Sequence, residues 1–160
     1  GETGWQQERF RVHIEAARET GLPLIIHTRD ARQDTIAMLR EYGQGEVRGV
    51  LHCFTEDLDM ARKGIELGFY VSISGIVTFR NADSLREVVR ALPLERLLIE
   101  TDAPWLAPVP HRGKPNQPAY VRQVAEMVAE LQGVSVQALA DATRENFFRL
   151  FERAGEDSHD

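Results

Sequence analysis

Two histidines and two carboxylates stand at the ends of strand-like apolar segments of this sequence. His27 closes the first segment, His52 lies near the end of the second, and Glu100 and Asp102 follow the fourth. Active sites of barrels and open parallel sheets are built at the carboxyl ends of the strands. Two neutral imidazoles and a carboxylate that meet there form a site for a divalent ion of the zinc, manganese or magnesium type. The pattern therefore predicts metal-assisted hydrolysis, in which a carboxylate accepts a proton from water.

Each of these residues also has a structural interpretation. A single histidine at a strand end is more often a hydrogen-bonded structural residue than a ligand. Two histidines and an aspartate at equivalent ends of separate strands are better explained by a metal. For Glu100 two alternatives stay open: a catalytic carboxylate, or one that caps a turn or orients a histidine.

The elements that must position these residues alternate along the chain. The apolar segments are typical of strands buried on both faces, and the segments between them have helical periodicity and end at glycine or proline. This alternation predicts an α/β fold with a parallel sheet, either doubly wound or a (β/α)8 TIM-type barrel. No glycine-rich nucleotide-binding motif follows any strand, which weakens a Rossmann interpretation. The predicted strands cover 22–27, 47–54, 69–74 and 96–100, and the predicted helices cover 6–19, 31–42, 57–67, 82–92, 118–132 and 137–151.

A second group of residues suits an anionic substrate. A proline-rich loop over 108–118 carries His111, Arg112 and Lys114. Arg29 lies two residues after His27, and cationic groups beside a metal site are suited to phosphate. Ser74 ends the third apolar segment and would line the substrate. The alternatives are an ordinary solvated loop, a salt bridge from Arg29 to a neighbouring carboxylate, and a plain turn at Ser74.

Composition limits the partners. The formal net charge is -6 and the sequence pI is near 5.4, so the chain has no long-range attraction for nucleic acid or for an anionic membrane. Contact with DNA must therefore be local. The single cysteine, Cys53, excludes an internal disulfide and favours a reducing compartment. We expect a cytoplasmic protein with no membrane partner and no obligate protein partner.

Several motifs, in order, resemble the TatD family of metal-dependent deoxyribonucleases, which belongs to the amidohydrolase-like barrels. The resemblance implies a (β/α)8 barrel that holds one or two divalent metal ions (Mg2+, Mn2+ or Zn2+) and takes DNA as its substrate. It implies His27, His52 and Asp102 as metal ligands. It adds Glu2, because Gly1-Glu2-Thr3-Gly4 looks like the family motif at a strand end whose glutamate binds metal. The other motifs are Ile25-Ile26-His27-Thr28-Arg29-Asp30-Ala31, Val50-Leu51-His52-Cys53-Phe54, Ser72-Ile73-Ser74-Gly75, Ile99-Glu100-Thr101-Asp102-Ala103-Pro104 and His111-Arg112-Gly113-Lys114.

The sequence departs from the family pattern in two places. No His-x-His occurs, although the family carries this motif on its first strand, and a full barrel needs about 250 residues. We therefore expect the C-terminal portion of a barrel over 1–151 that lacks the N-terminal strands, followed by a polar tail over 152–160. Gly4 also runs directly into Trp5 without the family's intervening loop, which predicts a break in the chain there.

The expected function is divalent-metal-dependent cleavage of phosphodiester bonds in DNA, as an exonuclease. Asp102 and Glu100 would be catalytic, and Arg29, Ser74, His111, Arg112 and Lys114 would bind the substrate. One alternative is a metal-dependent amidohydrolase or esterase that acts on a small substrate. The other is a truncated, inactive form or a binding protein.

Overall fold

The computed structural model describes residues 2–27, 32–52, 54–100 and 116–157, and these form one four-stranded parallel sheet flanked by helices. Among the described elements, a helix follows each strand along the chain, as expected for βαβ units. The strands are β1 (Leu24–His27), β2 (Gly49–His52), β3 (Phe69–Ile73) and β4 (Leu97–Ile99). The α-helices are α1 (Glu2–Thr20), α2 (Arg32–Gly43), α3 (Leu58–Glu66), α4 (Asp83–Ala91), α5 (Asn116–Gln132) and α6 (Val136–Asp157). Two short 3-10 helices, Gly75–Thr78 and Leu94–Arg96, precede α4 and β4.

The order of the strands decides between the two α/β architectures. The sheet order is β1-β2-β3-β4, and every neighbouring pair is parallel. A doubly wound sheet reverses its strand order at a switch point, whereas a barrel adds each new strand on the same side. The sheet therefore has the topology of part of a (β/α)8 barrel, as expected. The described strands form an open sheet and do not close a barrel.

The two faces of the sheet are covered differently. On the helix-facing side, Leu51, Val71 and Leu97 lie in the main hydrophobic core, which also contains residues of all six α-helices either buried or packed against it. Side chains alternate along a strand, so Val50, Tyr70 and Leu98 point to the opposite side. There they form a smaller cluster with Leu150 and Phe147 of α6. This second side would be the interior of a barrel.

The expectation that every strand is buried on both faces holds only in part. All five residues of β3 are buried, in agreement with the expectation. In β1, however, buried and exposed residues alternate, and Ile25 is 56% exposed. The reason is that the cluster with α6 covers Val50, Tyr70 and Leu98 on that face but does not include Ile25.

The N-terminal segment is not a strand end. Helix α1 begins at Glu2 and runs without interruption through Gly4 and Trp5. The sequence after Gly4 is helical. Adding a few residues to the start of an existing helix costs less free energy than forming an isolated strand that has no neighbour. Nε2 of Gln7 donates to Oδ2 of Asp34 in the first turn of α2 at 3.5 Å. Since α2 begins after β1 ends, the start of α1 lies toward the carboxyl edge of the sheet.

The last helix continues six residues beyond its predicted end at 151, into the segment expected to be a polar tail. Helix α6 continues from Val136 to Asp157. Glutamate, arginine and alanine dominate 152–156, and all three have high helix propensity, so the helix can continue through this polar segment. Although α6 is long, neither it nor any other helix in the described ranges is apolar enough to cross a membrane.

Candidate metal centre

The register of the sheet places His27 directly beside His52. These two residues are Cα partners at the carboxyl ends of β1 and β2. Their rings meet edge to face, with the centroids 4.7 Å apart and the planes at 89°. Both belong to the face that points away from the main core, because each lies two residues after a side chain of that face. The prediction that these histidines converge at one sheet edge is thus confirmed.

Glu100 reaches the histidine pair from the end of β4, two strands away from β2 in the sheet. Its Oε1 lies 3.1 Å from Nε2 of His52, and its side chain is 7% exposed, against 29% for that of His52. The backbone N–H of Glu100 donates to the carbonyl of Ile73 at 2.9 Å, which fixes the residue just beyond the end of β4. The hydroxyl of Ser72 donates to Oε2 of Glu100 at 3.5 Å. Of the two alternatives for Glu100, this geometry favours orientation of a histidine.

The histidine pair fits a metal as far as the described residues go. Two imidazoles that share one zinc-type ion at about 2.1 Å would have ring centroids roughly 4.6–5.3 Å apart, and the observed separation of 4.7 Å lies in that range. Among the described residues, no set of three His, Cys, Asp or Glu side chains is arranged to hold a metal ion. Further donors are therefore needed. Asp102, the predicted third ligand, lies outside the described residues.

The rim segment that follows β3, comprising Gly75–Thr78 and its continuation to Arg80, lies at the same edge of the sheet. Ser74 is buried, and its hydroxyl accepts from the backbone N–H of Ile76 at 3.4 Å, capping the 3-10 helix. This role explains the serine without a substrate, and a substrate contact for Ser74 stays a prediction. Phe79, in contrast, is 56% exposed on the rim segment.

Several other predicted site residues cannot be placed. Arg29, His111, Arg112 and Lys114 lie outside the described residues, as does Asp102. Glu2 is placed as the first residue of α1, but its side chain is not described.

Sequence reasoning missed the contact between Ser72 and Glu100. One signal for this contact is alternation: Ser72 lies two positions after Tyr70, so its side chain belongs to the face that carries the histidines. The other is that Ser72 is a buried polar residue within an apolar strand. A buried hydroxyl in such a position needs a hydrogen-bond partner. What the sequence alone does not reveal is that the partner comes from the strand beside it.

A cavity of about 260 Å³ lies at the opposite, amino edge of the sheet and is separate from the histidine pair. Three arginines line it, and each guanidinium already has a partner. Arg48 donates to the carbonyl of Gly21 at 3.0 Å, Arg96 stacks over the ring of Tyr70, and Arg149 pairs with Glu145. The arginines at this edge of the sheet therefore have structural roles.

Fold and site together define a class: a (β/α)8-type α/β protein with histidines at the carboxyl ends of its strands. The family model described as TatD related DNase matches residues 2–152. The chain therefore belongs to the TatD-related DNase family, in agreement with the resemblance seen in its motifs.

Relatives and solved structures agree with this membership. The chain is 62% identical to the uncharacterized metal-dependent hydrolase YcfH of Escherichia coli K12 over 146 residues, which are 91% of this chain and 55% of the relative. It is 49% identical to the uncharacterized metal-dependent hydrolase YabD of Bacillus subtilis, over 91% of this chain and 57% of that protein. The crystal structure of YJJV, a TatD homolog from Escherichia coli K12, matches with a TM-score of 0.72 at 29% identity, covering 87% of this chain and 53% of the other. The chain thus spans about half the length of the curated relatives that it matches.

Proposed function

We propose that this chain forms part of a divalent-metal-dependent hydrolase that cleaves phosphodiester bonds in DNA, most simply from strand ends. The observation that carries the proposal is the pair of histidines held in register on adjacent strands, with a buried carboxylate against one of them. Membership of a family described as DNase supports DNA as the substrate, and the relatives' description as metal-dependent hydrolases supports the use of a metal.

In this proposal His27, His52, Asp102 and Glu2 would hold one or two ions of Mg2+, Mn2+ or Zn2+. A divalent ion supplies Lewis-acid chemistry there, polarising the phosphoryl group and making water acidic enough to attack near neutral pH. Asp102 would accept the proton of the attacking water. Because the histidines lie on a sheet edge rather than on a loop, the strands hold their separation before any substrate binds.

The remaining predicted residues would act on the substrate. Arg29, Arg112 and Lys114 would neutralise the phosphate, with His111 as a further hydrogen-bond donor, and Ser74 would lie along the substrate wall. A guanidinium can bind two phosphate oxygens at once, which orients the bond to be cleaved as well as balancing its charge.

A matched set of histidine variants tests the proposal. A 5′-labelled single-stranded oligonucleotide is incubated with metal-stripped protein, to which Mg2+, Mn2+ or Zn2+ is added back. We expect metal-dependent shortening of the labelled strand that falls at least about 100-fold in His52→Ala and in Asp102→Asn. His13→Ala is the control, since His13 is an exposed residue of α1 far along the helix from its start.

The rival function is metal-dependent hydrolysis of a small amide, ester or lactone. A panel of such substrates is assayed under the same conditions. Intact DNA together with turnover of a panel member that disappears in His52→Ala would overturn the nuclease proposal. If neither substrate class is turned over while Mn2+ binds in a titration, the chain is a metal-binding form without hydrolytic activity.

A further inference from the structure

Ser72, Glu100 and His52 form a connected polar chain beneath the histidine pair. Oγ of Ser72 lies 3.5 Å from Oε2 of Glu100, and Oε1 of Glu100 lies 3.1 Å from Nε2 of His52. The three residues come from three adjacent strands or their ends, and Ser72 is buried. We propose that Glu100 is a positioning residue that holds the proton of His52 on Nε2 and so presents Nδ1 as the metal-binding nitrogen. This inference rests on the metal site of the proposed function.

The tautomer follows from the distance. At 3.1 Å from a carboxylate oxygen, an imidazole nitrogen with a lone pair would be repelled, whereas an N–H in that position donates a charge-assisted hydrogen bond. A neutral imidazole carries one N–H, so the nitrogen that faces away from Glu100 has the lone pair. Partners of this kind fix the orientation of metal-binding histidines and increase their basicity.

Burial explains why a carboxylate rather than water takes this position. The Glu100 side chain is almost fully enclosed, while the His52 side chain remains partly open. The backbone of Glu100 is held by its hydrogen bond to the carbonyl of Ile73, and its carboxylate contacts the hydroxyl of Ser72 as well as the His52 ring. Glu100 therefore restricts rotation of the His52 ring before any metal arrives.

The inference also separates the roles of the two carboxylates in Glu100-Thr101-Asp102. Glu100 sits one residue past β4 with its side chain directed to His52, and Asp102 is left as the candidate for metal binding and proton transfer. Because Oε1 of Glu100 is already engaged by Nε2 of His52, we assign proton transfer to Asp102 rather than to Glu100. Loss of Glu100 should thus weaken metal binding more than it slows turnover.

The test uses the metal-free chain and two readouts that do not require DNA cleavage. In 15N-resolved NMR of histidine-labelled protein, we expect a solvent-protected Nε2–H signal for His52 in the wild type. The signal should be lost in Glu100→Ala and retained in the isosteric Glu100→Gln, whose side-chain carbonyl still accepts. Titration with Mn2+ alone should show a dissociation constant raised about 10- to 100-fold in Glu100→Ala, with a smaller rise in Glu100→Gln and in Ser72→Ala.

Matched controls keep the outcome interpretable. Glu87→Gln changes an exposed glutamate of α4 that pairs with Arg90, and it should leave both readouts unchanged. A protected Nδ1–H in place of Nε2–H, or an unchanged Mn2+ affinity in a folded Glu100→Ala, would overturn the inference. If Glu100→Ala does not fold, the wild type and Glu100→Gln decide the question. If the His52 Nε2–H signal in both of these proteins is indistinguishable from that of free histidine, the inference is rejected. Failure of the DNA assay alone leaves both readouts intact, so the two proposals fail separately.

Discussion

At the residue scale, Gly49 determines how closely the two histidine-bearing strands approach. A Cβ at this position would lie 1.9 Å from the carbonyl oxygen of Leu24 in β1, which is backbone and cannot rotate away. Gly49 pairs with Leu24 at the start of the same register that ends at His27 and His52. The glycine is thus required for the strand spacing that brings the two histidines together.

We therefore expect Gly49→Ala to lower the free energy of unfolding by about 3 kcal/mol or more, because β1 must be displaced from β2. The same variant should weaken Mn2+ binding, since displacement separates the two histidines. Gly64→Ala is the matched control. Its added Cβ meets the end of the Leu51 side chain, which can adjust, and alanine favours the helix, so we expect a loss of about 1 kcal/mol. Urea unfolding followed by circular dichroism gives both values, and equal losses would contradict this account.

At the element scale, one arginine of α4 holds the rim segment in place. Nη1 of Arg86 donates to the carbonyls of Val77 and Phe79 at 2.9 and 2.8 Å, and Nη2 donates to the carbonyl of Arg80 at 3.4 Å. The Arg86 side chain is 17% exposed and also pairs with Asp83. A single guanidinium therefore ties three carbonyls of the rim segment to α4.

Replacing Arg86 by alanine should destabilise the protein by about 2–3 kcal/mol, because several charge-assisted hydrogen bonds to backbone carbonyls are lost together. Amides of the rim segment should exchange with deuterium faster, while those of β3 should not change. Arg90→Ala, one turn along the same helix, removes an exposed pair with Glu87 and should cost less than about 0.5 kcal/mol. Indistinguishable exchange in the two variants would show that Arg86 does not hold the segment.

The elements also show where sequence patterns are sufficient. Apolar segments and helical periodicity located the four strands and all six described helices, with ends that differ from the observed ones by a few residues. These features depend on neighbouring residues only. The errors lie at the chain ends, where Glu2 starts a helix and α6 continues to Asp157, because helix extension there depends on the absence of competing tertiary contacts.

At the scale of the whole molecule, charge limits how the chain can bind DNA. With a net charge of -6, DNA binding in the proposed function would depend on the few cations that we propose beside the site. Three phosphate contacts, from Arg29, Arg112 and Lys114, would give a slope of about −2 for the logarithm of affinity against the logarithm of salt concentration on single strands.

Fluorescence anisotropy with a phosphorothioate single strand at fixed Mn2+ measures this slope. Arg112→Ala should reduce its magnitude to about 1.4, which corresponds to the loss of one phosphate contact. Arg122→Ala is the control, since Arg122 is an exposed residue of α5 paired with Glu126. A slope that does not respond to Arg112→Ala would remove this residue from the proposed substrate contacts.

The sequence by itself determined the α/β class, the parallel strands and the assignment of His27 and His52 to strand ends, since residue type and periodicity are local properties. It left open whether the sheet is doubly wound and whether Glu100 is catalytic. Strand order decided the first point, and the contact of Glu100 with His52 favours a positioning role on the second. It also decided that β1 is an edge strand with one exposed face. Register and cross-strand contacts join residues far apart in the chain, so they depend on how whole strands and helices pack rather than on any local pattern.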